Sequence, residues 1–197
     1  MPSNPPAPTD GLMSPSPWVR RFLSGIPRTG QVLDLACGRG RHLRLALADG
    51  RAVVGVDRDL SGVADLDGMP GVELVAADLE DGSPFPFRGR TFAGVIVTNY
   101  LWRPILPDIV GCVAANGLLV YETFAVGNER YGRPSNPDFL LRPGELTETV
   151  RGQLLPISFE HVRLPAPLRV VQRIVAVGLD PPWLREPPEL HDPAVPL

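Results

Sequence analysis

There is no lysine anywhere in the 197 residues: all 19 basic side chains are arginine. Schiff-base chemistry on a lysine, a phosphate-loop lysine and a kinase-type lysine are thereby excluded. Neither a pyridoxal enzyme nor a standard phosphate-loop NTPase fits. Cysteine is scarce too, and Cys37 and Cys112 offer neither a disulfide framework nor metal-ligand spacing, so no metal is expected. No apolar run approaches the roughly 20 residues of a bilayer crossing. The opening MPSNPPAPTDGLMSPSP lacks the charged-then-apolar order of a secretory signal. The expectations are no membrane contact and a cytoplasmic location. A net charge of −3 lacks the basic balance of a dedicated nucleic-acid binder.

What is present suits one soluble domain, with 44% hydrophobic and 21% charged residues. Proline-rich ends read as tails, over residues 1–15 and 180–197, around a domain spanning 16–179. Ser16-Pro17 has the form of a helix N-cap followed by proline at the first helical position. Strands fit 31–36, 51–57, 71–78, 92–99 and 117–124, with helices over about 41–49, 59–67, 103–115 and 143–151. Apolar strands separated by helix-length connections indicate a parallel sheet covered on both faces. LPISFEHVRL and LRVVQRIVAVGL are joined by only a few residues, which suits a hairpin and not a parallel crossover. The expected fold is therefore α/β: a Rossmann-like, seven-stranded, mostly parallel sheet with helices on both faces and an antiparallel C-terminal hairpin.

Ligands in such sheets bind beyond the carboxyl ends of the strands, near the switch in strand order. VLDLACGRGRH places Gly38 and Gly40 at that end of the first strand, where glycine lets backbone N–H groups come close to a ligand. Asp57 closes the second strand, with Arg58 beside it, and is placed to accept hydrogen bonds from two ribose hydroxyls. Asp78 and Leu79 close the third, suited to an adenine's amino edge and face, and Asn99 closes the fourth. Singly, each Asp or Asn also suits an ordinary turn or cap. The third glycine of a dinucleotide fingerprint is missing. Asp34, ahead of the turn, suits a cationic group such as an amino acid's ammonium.

These residues resemble the first motif, the acidic ribose ligand and the adenine motif of the class I S-adenosylmethionine-dependent methyltransferases, over roughly residues 18–178. The narrower resemblance is to small bacterial small-molecule methyltransferases of the tellurite-resistance type. It implies S-adenosylmethionine as cofactor, with Asp34, Ala36, Gly38 and Gly40 around its methionine end. Asp57 and Arg58 then lie at the ribose, Asp78 and Leu79 at the adenine, and Asn99 closes the set. Ala36 stands where the motif often has its first glycine.

On the acceptor side, Asn99-Tyr100-Leu101-Trp102 lacks both prolines of the Asn/Asp-Pro-Pro-aromatic signature of enzymes that methylate base or amide nitrogens. Tyr100 and Trp102 are candidates for a substrate wall, and Trp102 equally suits a packing anchor. Trp18 and its helix are expected to fold over the cofactor. The connection Ala125–Arg142 is long for so compact a domain, which marks a lid or substrate wall. Arg103, Arg130 and Arg133, with Arg142, either bind an anionic acceptor, or are ordinary solvated surface or pair with Glu129, Asp138 and Glu145. Glu122 and Tyr131 are the candidates for a base or orienting group. Cys37 reads as a small packed residue and His42 as a cap or packing residue. The expected activity is methyl transfer to a small molecule. The alternatives are an RNA or protein methyltransferase, or a non-catalytic cofactor-binding regulatory partner.

Overall fold

The computed structural model describes residues 14–180 and 184–188. Most of both expected tails lies outside the described residues. The first helix, α1 (Pro17–Phe22), starts as its sequence requires, with the Ser16 hydroxyl accepting from the Trp18 N–H at 3.1 Å. Then follow β1 (Gln31–Leu35), α2 (Arg41–Ala48), β2 (Ala52–Asp57), β3 (Val72–Ala76), β4 (Phe92–Thr98), α3 (Leu106–Gly111), β5 (Val113–Phe124), α4 (Glu145–Val150), β6 (Leu155–Pro165) and β7 (Leu168–Val177).

All seven strands form one sheet in the order β3-β2-β1-β4-β5-β7-β6. The first five pair in parallel, and β7 runs antiparallel to both β5 and β6. Strand order reverses at β1, which lies between β2 and β4, so the crevice of such sheets belongs at its carboxyl end. Side-chain alternation sends successive residues to opposite layers. Trp18, Phe22, Leu43 and Ala46 from α1 and α2 pack against Val32, Ile96, Val120 and Val175. On the other face Ile109, Leu146 and Val150 from α3 and α4 cover Leu33, Leu35, Val95 and Tyr121. Fully burying a side chain of this size contributes roughly 1.5–3 kcal/mol, so these layers, rather than the short helices' own propensities, hold the helices in place.

The sequence-based boundaries fail where tertiary contacts compete with local pattern. The helix expected over 59–67 is a 3-10 segment, Ser61–Leu66, with Gly62 so close to the Gly38 carbonyl oxygen that a Cβ would stand 3.0 Å from it. The helix expected over 103–115 divides into a 3-10 turn, Arg103–Ile105, and α3. Strand β5 begins early, at Val113, because Val113 pairs with Phe92. The third strand ends at Ala76, which leaves Asp78 in the loop beyond it.

Candidate functional site

The turn after β1 is built on left-handed backbone: φ is 55° at Ala36, 54° at Gly38 and 70° at Gly40. Its two glycines do different work. At Gly38 an added Cβ would meet nothing within 4 Å, so the turn faces open space there. At Gly40, the N-cap of α2, a Cβ would stand 2.5 Å from Val63 Cγ1, so close packing also demands glycine. Cys37 is buried behind the turn, its thiol pushed up to about 12 by burial and then by the charges of Asp34 and Asp57. A thiol so protonated is a packing group and not a nucleophile.

Asp57 is held by two backbone donors: the Gly38 N–H reaches Oδ2 at 2.8 Å and the Asp59 N–H reaches Oδ1 at 3.1 Å. This welds the end of β2 to the glycine turn and fixes the carboxylate's direction. Beside it lies a cavity of about 460 Å³, lined by Ala36, Asp57, Arg58, Ala77, Asp78, Leu79, Glu80, Tyr100 and Phe139. That volume lies within the range of roughly 300–1,000 Å³ typical of small-molecule sites. Five predicted cofactor residues and one predicted substrate residue, Tyr100, thus meet in one wall. Burial raises the Tyr100 phenol above its ordinary pKa, and the carboxylates of Glu80, Asp78 and Asp57 reinforce the shift. Glu80 and Phe139 are not singled out as site residues by the sequence: Glu80 lies inside the AADLED stretch that resembles the adenine motif, and Phe139 in the long connection expected as a lid or substrate wall.

Asn99 takes φ 55°, donates its backbone N–H to Glu122 O at 2.9 Å, and is not in the cavity lining. Asp34 is 2% exposed, beneath α1 and α2. Its Oδ1 lies 3.8 Å from His42 Nδ1, while its Oδ2 is buried with no hydrogen-bond partner among the described residues. An unpaired carboxylate oxygen in such a place costs free energy until a donor arrives. This is the observation that fits an ammonium-bearing ligand to the turn.

Over Asp34 lies a polar row that the sheet register assembles. Thr98 pairs with Glu122, Glu122 with Arg173, and Arg173 with Glu160. Glu122 is 2% exposed; its Oε1 accepts from the Ser16 hydroxyl at 3.0 Å and its Oε2 from Arg173 Nη1 at 3.3 Å. The Ser16 N–H donates to His42 Nε2 at 3.1 Å, so that nitrogen is the unprotonated one. Arg41 reaches the Ser14 carbonyl at 3.4 Å and Thr98 Oγ1 at 3.2 Å. Residues 14–17 are thereby strapped across this end of the sheet. Trp18 is buried against Phe22, with the Arg173 guanidinium 4.5 Å from its ring centroid, and does not line the cavity.

The long connection is a tied flap. Ala125 bridges Leu141, and Asn128 donates to the Pro134 carbonyl within the connection at 3.0 Å while its Oδ1 accepts from the Val170 N–H of β7 at 3.1 Å. Arg103, predicted to meet substrate, instead grips this flap and Glu145. It donates to the Asp138 carbonyl at 2.6 Å, the Leu140 carbonyl at 2.9 Å and Glu145 Oε1 at 2.7 Å. Arg142 bonds Glu145 as well. Burial alone would raise Glu145, but the bonds from Arg103 and Arg142 win and hold it down to about 2. Pairing of these arginines with Glu145 is therefore what the fold selects. Arg130 and Arg133 are exposed and outside the cavity lining. Tyr131 is likewise outside it, its hydroxyl 3.4 Å from Arg163 Nη1, and Trp102 is half-buried against the core. No group of three or more potential metal ligands occurs among the described residues, and no helix there is long and apolar enough to cross a membrane.

No family model matches the chain, and no curated protein matches its sequence. Solved structures do match in fold. TehB from Haemophilus influenzae aligns over 76% of this chain and 57% of its own, with TM-score 0.59 and 16% identity. This chain thus spans little more than half of TehB. A 1,6-didemethyltoxoflavin-N1-methyltransferase from Burkholderia thailandensis, solved with S-adenosylhomocysteine, aligns over 78% of this chain and 72% of its own at TM-score 0.55 and 20% identity. A 16S rRNA adenine N1-methyltransferase from Catenulisporales acidiphilia aligns over 84% and 91%, at TM-score 0.56 and 18% identity. The fold is that of the S-adenosylmethionine-dependent methyltransferases, whose matched members act on both small molecules and RNA.

Proposed function

We propose that the chain binds S-adenosylmethionine and transfers its methyl group to a small-molecule acceptor. The observation that carries this reading is the convergence of Ala36, Asp57, Arg58, Asp78 and Leu79 on one cavity at the switch point, together with the buried, unpaired Oδ2 of Asp34 two residues before Ala36. In this reading Asp57, fixed by Gly38 and Asp59, accepts from the ribose hydroxyls, while Asp78 and Leu79 hold the adenine. Asp34 takes the ammonium. Once bound, the cofactor supplies an electrophilic methyl on a sulfonium, open to in-line displacement by the acceptor. The protein's share is alignment and exclusion of water. Glu122 is engaged by Ser16 and Arg173, and Tyr131 by Arg163, and neither lines the cavity.

A small acceptor is supported by the chain's net charge of −3, which lacks the basic balance of a nucleic-acid binder.

The test is calorimetric titration with S-adenosylmethionine, S-adenosylhomocysteine and NAD, repeated on Asp57→Ala. Binding of both adenosyl compounds at micromolar concentration, weakened at least about tenfold in the variant as loss of a charge-assisted bond requires, is the expected result. Binding of NAD alone, or of none of the three, sinks the reading. A methyl-transfer screen over thiols, amines, metalloid oxyanions and carboxylates then separates an enzyme from a regulatory cofactor-binding protein.

A further inference from the structure

Phe139 is a large apolar side chain left 40% exposed. It is also the flap's only residue in the wall of the cavity, opposite the strand-end residues of β1, β2 and β3. Nothing in its own segment explains its direction. The residues Pro137–Phe139 make one 3-10 turn, opened by Asn136 Oδ1 accepting from the Asp138 N–H at 3.1 Å. The carbonyls on either side of Phe139, those of Asp138 and Leu140, both accept from one guanidinium, Arg103. That guanidinium is fixed from behind by Glu145 Oε1 at 2.7 Å and Oε2 at 3.1 Å. Arg103 itself starts the 3-10 turn after β4, just beyond Tyr100, another residue of the same wall.

We propose that Arg103 is a positioning residue for the nucleoside: by clamping the carbonyls that flank Phe139, it aims the Phe139 ring over the cavity as an aromatic cover for the cofactor's adenosine. This rests on the cofactor reading above and adds to it the outer wall of the site and the residue that sets it. The planar guanidinium is essential to the arrangement. It serves two carbonyls and both oxygens of a carboxylate at once, a fork that a lysine's point charge does not reproduce. The clamp also accounts for Arg103's failure to face an acceptor: four of its contacts go to the flap and its anchor.

A double-mutant cycle on S-adenosylhomocysteine binding tests the clamp. Phe139→Ala is a surface truncation and leaves the fold intact; it is expected to weaken binding by roughly two- to tenfold, the scale of one aromatic contact. Arg103→Lys keeps a charge beside Glu145 but drops the two-carbonyl grip, and is expected to weaken binding to a similar degree. Combining the two is expected to cost no more than either alone, since both remove the same ring from the same place. Hydrogen exchange of the 138–141 amides in the free protein is expected to quicken in Arg103→Lys. Binding unchanged in Arg103→Lys, or losses that multiply in the double variant, overturns the clamp. Unchanged exchange at 138–141 does the same. An unsubstituted protein that binds no S-adenosylhomocysteine overturns the cofactor reading itself, while the exchange measurement still decides whether Arg103 holds the flap.

Discussion

Two covers close the carboxyl edge of the sheet, the strap of residues 14–17 and the flap of residues 125–142, and each hangs on a buried glutamate held by two arginines. Under the strap, Glu122 accepts from Arg173 at 3.3 Å, with Arg169 at 3.9 Å. Under the flap, Glu145 accepts from Arg103 at 2.7 Å, with Arg142 at 3.3 Å. The difference lies in what the cover touches. The strap touches the carboxylate, through the Ser16 hydroxyl. The flap touches the guanidinium, through two backbone carbonyls. Glu122 is moreover part of the sheet, paired in register with Arg173, while Glu145 begins a short helix beside it. A lesion at Glu122 should therefore reach the whole fold, and one at Arg103 only the flap.

The largest effect should come from Glu122→Ala. It leaves Arg173 and Arg169, with side chains 17% and 22% exposed, without the carboxylate between them. Removing one partner of a buried pair costs about 3–5 kcal/mol; Arg173 keeps Glu160 at 2.7 Å, which sets the expectation at the low end, and the urea midpoint should show it as a large downward shift. A loss below about 1 kcal/mol, the level of exposed ion pairs, would mean the polar row does not carry the sheet edge. Ser16→Ala comes next. It removes both the cap on the Trp18 N–H and the bond to Glu122, yet leaves the row paired, so about 1–2 kcal/mol is expected. The same variant read by hydrogen exchange should loosen α1 alone. Loosening that spreads to β5 and β7 would erase the distinction between the strap and its anchor.

The contrast also marks what the sequence discloses. Short-range signals were readable: the Ser16 cap, the glycine turn, Asp57 at the end of its strand, and the hairpin over β6 and β7, whose pairing follows from a connection too short to cross over. Each depends on residues adjacent in the chain. Glu122 with Arg173 depends on the register of β5 against β7, and Arg103 with Leu140 on a contact 37 residues apart. Both exist only once the sheet is assembled. Trp18 shows the same limit from the other side: its helix was legible, but that its ring packs on Phe22 under Arg173, away from the cavity, was not. Glu80 lay inside the AADLED stretch and Phe139 inside the long connection, but neither stood out there from its neighbours by type or spacing. Their place in the wall follows from how the loops descend on it.

The prediction that isolates the flap is a titration. Glu145 is held down to about 2 from a reference of 4.5, its bonds to Arg103 and Arg142 outweighing burial. A carboxyl lowered by folding contributes stability that is complete above its unfolded pKa and is lost as pH falls through its folded one. Its window therefore runs from about 4.5 down to about 2. Across that window the protein should lose urea stability more steeply than Glu145→Gln does, because glutamine has no proton to take up. The variant should also start lower at pH 7 and converge on the unsubstituted protein at the acid end. The flap's amides should follow the same curve, exchanging faster as the clamp protonates, while those of α1 stay on the curve of the whole fold. Parallel pH profiles for protein and variant would mean that Arg103 grips the flap's carbonyls without help from the carboxylate behind it. The two covers would then differ more deeply than their matching glutamates suggest.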